Sequence, residues 1–267
     1  MNGHRTIILV LVVIVGCISS HGQLTPASTA VTPPANKNSF HIYLLMGQSN
    51  MAGRDTRTLS SQVDNPCVLA LNTNGQWIVA RDPIHPRQGR TEAGAGPGIP
   101  FAIEMVKGNT NITIGLVPCA VGGTSLNHWV KGADLYEKAL SRAKFAASVG
   151  VISGVLWHQG ESDSTTQKNA DTYEARLKKM LQDLRQDLGT PNLPIVIGQL
   201  GGFLPPDKYP YAEIVRTAIK RIPSEVLGIG YADSASLGDK GDQLHFSAEA
   251  QKEMGMRYAK AMQALQK

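Results

Sequence analysis

Residues 40–54 constrain this chain more than any other stretch. Phe40-His41-Ile42-Tyr43-Leu44-Leu45-Met46 is a short, almost wholly apolar run, and at Gly47 it breaks into the polar cluster Gln48-Ser49-Asn50. A strand that is apolar at successive positions is buried on both faces, as happens when helices cover both sides of a mostly parallel sheet. In such sheets ligand sites lie beyond the carboxyl ends of the strands. Ser49, on the turn leaving the strand, is therefore a candidate nucleophile. A serine after a strand also serves as a turn residue or helix N-cap, so the remaining chain has to decide.

The chain has 267 residues, 42% hydrophobic and 18% charged, which suits one α/β domain with a large core. The net charge is +5, but the basic residues are scattered and aromatics are only 6%. That describes a solvated, mildly basic surface, and no nucleic-acid partner is expected.

The N-terminus reads as processing sequence. His4 and Arg5 precede an apolar run from Ile7 to Val15, too short to span a bilayer, and small and polar residues follow to Gly22. Residues 1–22 are thus expected to be a signal peptide, with no integral membrane span. Ile14-Val15-Gly16-Cys17 resembles a bacterial lipoprotein box, so the expected location is secreted or cell envelope, with lipid on Cys17 as the alternative. Residues 23–38, rich in Pro, Thr, Ala and Asn, are expected to be a disordered linker, and residues 39–267 the folded domain. Export permits a disulfide between Cys67 and Cys119, but two buried free thiols are the favoured expectation.

Strand and helix patterns alternate along the domain. Strands are expected at 68–71, 112–117, 151–157, 193–199 and 227–231, with 76–79 returning from the first as a hairpin. Helices are expected at 100–107, 135–148, 170–188 and 211–221, the last stopped by Pro223, and Ser247 caps a final one. This alternation predicts a three-layer α/β/α sandwich on a mostly parallel sheet. The irregular segment 81–98 is either a surface loop or a wall of the site.

Four polar turns follow strands, at 47–51, 120–125, 157–163 and 233–245. The last carries Asp239, Asp242 and His245. A histidine base held in one tautomer by a carboxylate is what a serine nucleophile requires, and either aspartate is a candidate for that carboxylate. His158 reads as a packed histidine and Glu161 as a turn-holding carboxyl. Trp129 and His128 line a sugar site or, for Trp129, join the core. Arg54 and Arg90 are candidates for contacting substrate, with solvated surface as the favoured reading. His158, Glu161 and Asp163 have no sensible ligand spacing, so no metal is expected.

Gly47-Gln48-Ser49-Asn50-Met51, Gly122-Gly123-Thr124, Trp157-His158-Gln159-Gly160-Glu161 and Asp242-x-x-His245 occur in that order. Together they resemble the blocks of the SGNH-hydrolase superfamily, in its sialate O-acetylesterase-like and acetylxylan esterase branch, over roughly residues 40–265. The resemblance implies a flavodoxin-like fold and a serine esterase acting on acetylated carbohydrate without a cofactor. It implies Ser49 as nucleophile, His245 as general base and acid, and Asp242 as its orienter. It also implies an oxyanion hole from the N–H of Ser49, an N–H at Gly122 or Gly123, and the Gln159 side chain. An esterase or acyltransferase on other acyl esters, or a non-catalytic carbohydrate-binding domain, is the rival reading.

Overall fold

The computed structural model describes residues 29–58, 64–89, 91–107, 109 and 111–267. The expected signal peptide, Cys17, the first part of the expected linker and Arg90 lie outside the described residues.

The strands β1 (Phe40–Gly47), β2 (Val68–Leu71), β3 (Trp77–Val79), β4 (Thr113–Pro118), β5 (Val151–His158), β6 (Ile195–Gly198) and β7 (Ile229–Ala232) form one sheet in the order β3-β2-β4-β1-β5-β6-β7. All pairings are parallel except the β2–β3 hairpin at the edge. Without that hairpin's strands, the order β4-β1-β5-β6-β7 is that of a flavodoxin-like sheet. The chain leaves β1 for one side and returns to its other side at β5, so the carboxyl end of β1 is the topological switch point where such sheets bind ligands.

The helices are α1 (Ser49–Ala52), α2 (Gly98–Val106), α3 (Asp134–Ala146), α4 (Gln167–Asp187), α5 (Ala212–Glu225) and α6 (Ala248–Leu265). The side chains of β1 alternate between two cores because successive residues of a strand face opposite ways. Phe40, Ile42, Leu44 and Met46 pack with Tyr136, Tyr173, Leu177 and Ile219 from α3, α4 and α5. Tyr43 and Leu45 pack with Phe101, Met254 and Tyr258 from α2 and α6. These are the two outer layers of the expected sandwich. Ser247 accepts from the Ala250 N–H and so caps α6 as expected.

Three expectations need correction. Helix α5 runs through Pro223 to Glu225. A proline this close to the end removes only one intrahelical bond, and Ile222 remains buried beside it. Within the stretch expected to be a linker, Ala30 bridges to Ile78, and the Val31 N–H donates to Trp77 at 2.8 Å, so these residues lie against the sheet edge. Cys67 is disulfide-bonded whereas Cys119 is a free thiol, so the two do not pair and only Cys119 is free as expected. No helix among the described residues is long and apolar enough to cross a membrane.

Candidate active site

Parallel strands bring the turns after β1, β4, β5 and β7 to one edge. They are pinned there through the backbone: the Gln48 N–H donates to His158 at 2.8 Å and the Val121 N–H to Gly47 at 3.0 Å. Gly47 has φ +123°, and a Cβ there would lie 2.1 Å from the His158 carbonyl oxygen. Only glycine allows β1 and β5 to approach this closely while the chain turns towards Ser49.

Ser49 opens α1 and is only 4% exposed. Its Oγ lies 3.0 Å from Nε2 of His245, whose Nδ1 lies 2.8 Å from Oδ2 of Asp242. The other Asp242 oxygen accepts from the backbone N–H groups of Leu244 and His245. Burial alone would raise the Asp242 pKa, but these N–H groups, the His245 ring and Lys240 outweigh it and hold the carboxyl well below its ordinary range. Burial also lowers the His245 pKa, against the Asp242 interaction, and the charges of Arg54 and Lys240 add to the lowering. The imidazole is therefore neutral at pH 7, with a lone pair available at Nε2 when Nδ1 carries the proton towards Asp242. Asp239 instead accepts from the Gly241 and Gln243 N–H groups and shapes the turn.

Asn50 ties the serine turn to the histidine turn. It donates to Glu161 at 2.5 Å and to the Leu244 carbonyl at 3.0 Å, and it accepts from the Phe246 N–H at 3.0 Å. Glu161 is fully buried, and burial raises its pKa. His158 donates to Tyr258 within the core at 3.0 Å, and burial depresses its pKa to about 3. It is a neutral packed histidine. Trp129 is also core, set edge-on against Trp157, while His128 sits exposed beside Asp134.

Gly122 and Gln159, expected to form an oxyanion hole, already have partners of their own. Nε2 of Gln159 lies 2.7 Å from Asp163, 3.1 Å from the Thr124 carbonyl and 3.2 Å from Gln48. Its two hydrogens face three acceptors, so none is left for an oxyanion. Asp163 in turn pairs with Arg176. The Gly122 N–H points at Oε1 of Gln88 at 2.6 Å, and Gly123 has φ +71° with open space where a Cβ would be. Gln88 comes from segment 81–98, which therefore forms a wall of the site. Arg54, read from the sequence as surface, is buried there. Its position five residues after Ser49, in a turn of small residues, was the available signal. Nothing in the local pattern pointed to Gln88. Among the described residues no group of three or more His, Cys, Asp or Glu side chains is arranged to hold a metal ion.

Fold and family together define a class: an α/β enzyme that hydrolyses carboxylic esters. The model of the carbohydrate esterase family described as sialic acid-specific acetylesterase matches residues 39–264, and the chain belongs to that family. It is accordingly a carbohydrate acetylesterase. A probable carbohydrate esterase of Arabidopsis thaliana is 33% identical over 264 residues, covering 90% of this chain and 96% of that protein. An Arabidopsis thaliana X-ray structure at 31% identity superposes with a TM-score of 0.76, covering 87% of this chain and 99% of that one. The fold is shared with NanS, at TM-score 0.68, 16% identity and coverage of 86% and 98%.

Proposed function

We propose that the protein is a serine esterase that removes O-acetyl groups from carbohydrates through Ser49, His245 and Asp242. The carrying observation is the hydrogen-bonded series from Asp242 through His245 to Ser49, assembled from turns almost two hundred residues apart. His245 Nε2 takes the Ser49 proton as Oγ bonds to the acetyl carbonyl carbon. The carbonyl oxygen becomes an anion that the N–H groups of Ser49 and Gly122 are suited to hold, once the Gln88 side chain moves aside. The intermediate collapses, and the sugar oxygen leaves with the proton from His245. Water, deprotonated by the same histidine, then releases acetate from Ser49. Asp242 stays ionised, keeps the proton of His245 on Nδ1 and stabilises the imidazolium. No cofactor enters these steps.

Acetylated xylan and O-acetylated sialic acid are the substrates to compare. Ser49→Ala should abolish acetate release from both, while the circular dichroism spectrum stays that of the wild type. Acetate release undiminished in that variant would contradict the mechanism. The N-terminal sequence supports export, which the mass of the mature N-terminus tests: cleavage near residue 22 means a free enzyme, and diacylglycerol on Cys17 an anchored one.

A further inference from the structure

Arg54 lies directly after α1 and is only 9% exposed. Nη1 donates to the Gly53 carbonyl at 2.6 Å, Nη2 reaches Oε1 of Gln88 at 3.4 Å, and Nε has no partner. Among the described residues no carboxylate pairs with it, and burial is what lowers its pKa. A buried cation is costly unless it meets an anion, so an unpaired one beside a nucleophile points to an anion present only during the reaction.

The acceptor that Arg54 does reach is the atom that receives the Gly122 N–H at 2.6 Å. Gln88 thus holds a carbonyl oxygen between a glycine N–H and a guanidinium. The two donors are close together, since a Cβ on Gly122 would lie 2.3 Å from Nη2. Both donors stand on segments tied to the Ser49 turn: the Gly53 N–H donates to the Ser49 carbonyl at 2.9 Å, and the Val121 N–H donates to the Gly47 carbonyl at 3.0 Å. An acetyl ester presents a carbonyl oxygen of the same kind. Gln159, whose hydrogens are committed elsewhere, leaves the hole one donor short.

We propose that Arg54 is a catalytic residue of the esterase: its guanidinium is the charged donor that, with the Gly122 N–H, holds the oxygen of the tetrahedral intermediate. Gln88 Oε1 occupies that oxygen's position until substrate displaces it. As the Ser49 Oγ–carbon bond forms, the carbonyl π pair moves onto the oxygen facing Arg54. As the ester C–O bond breaks, the pair returns, and Arg54 keeps its protons throughout. The inference rests on the Ser49 mechanism proposed above.

The test compares wild type, Arg54→Gln and Ser49→Ala on p-nitrophenyl acetate, acetylated xylan and O-acetylated sialic acid. Arg54→Gln should lose about 10²–10³-fold in kcat on all three, with KM changed far less. The acid limb of its kcat/KM profile should move to higher pH, because a positive charge near His245 is gone. An unchanged kcat overturns the inference. So does a loss confined to sialic acid, which would mean that Arg54 reads a substrate carboxylate. A rate that survives Ser49→Ala removes the underlying mechanism and the inference with it, whereas a Ser49-dependent rate that survives Arg54→Gln removes the inference alone. If Arg54→Gln fails to fold, Gln88 on its partly exposed loop gives the answer. Gln88→Glu should raise KM about ten- to a hundredfold by pairing the new carboxylate with Arg54, and Gln88→Ala, which removes the oxygen that substrate must displace, should lower KM. Full activity in Gln88→Glu would overturn the inference.

Discussion

Two hydrogen bonds, of 2.8 and 3.0 Å, join Asp242, His245 and Ser49. The order of these three residues fixes what each variant should do. Asp242→Asn keeps the shape but donates a hydrogen bond to Nδ1 and selects the wrong tautomer, so kcat should fall on the order of 10⁴-fold with the melting temperature nearly unchanged. Because the His245 pKa is lowered, the neutral base persists below its ordinary 6.5. The kcat/KM profile should therefore rise with pH through a midpoint below 6.5 and be flat at neutrality. The meeting of Ser49, Asp242 and His245 was legible in the sequence because each stands in a short polar turn directly after or before a regular element. Arg54 was not. Whether an arginine is solvated or buried depends on which loop folds over it, and the loop 81–98 has no periodicity from which its path can be read.

At the scale of elements, α1 and the turn before α6 have to stay in register for Ser49 to meet His245, and Asn50 is the tie between them. Asn50→Ala leaves the Phe246 N–H and Glu161 without this partner, and it should cost about 1–3 kcal/mol in denaturant unfolding. It should also lower kcat more than KM, since the loosened part is the base rather than the substrate wall. An Asn50→Ala protein with wild-type stability and kcat would show that the turn holds itself. The helices were legible from their apolar period: Tyr173, Leu177, Leu181 and Leu184 all turn out buried in α4. The end of α5 was not, because Pro223 signals a stop in sequence, while burial of Ile222 carries the helix past it. The role of Asn50 was equally hidden, since its partners lie on turns more than a hundred residues away.

Across the whole molecule, the two cores on either face of the sheet enclose neutral histidines that must charge when the chain unfolds in acid. His158 and His85 each have a pKa depressed to about 3 by burial, against 6.5 when free. Between those values the unfolded chain binds protons that the folded one refuses. Their contribution is thus complete above about pH 6.5 and is lost as pH falls towards 3. Glu161 and Asp82 work in the opposite sense, since burial raises both carboxyls, Asp82 to about 7, and they offset the two histidines over part of that range. Each histidine by itself should take up to about 1.4 kcal/mol per pH unit from stability on acidification below 6.5, so His158→Gln should flatten the acid loss relative to wild type. Calorimetric melts of the two proteins at stepped pH would show it, and parallel melting-temperature profiles would contradict it. The sandwich itself was legible from the alternation of strand and helix, and the strand-end turns marked the edge on which the site stands. Labelling with a fluorophosphonate probe followed by peptide mapping tests that site most directly. The adduct is expected on Ser49 alone and should be absent in Ser49→Ala; an unlabelled wild-type protein, or an adduct on another residue, would contradict Ser49 as the nucleophile.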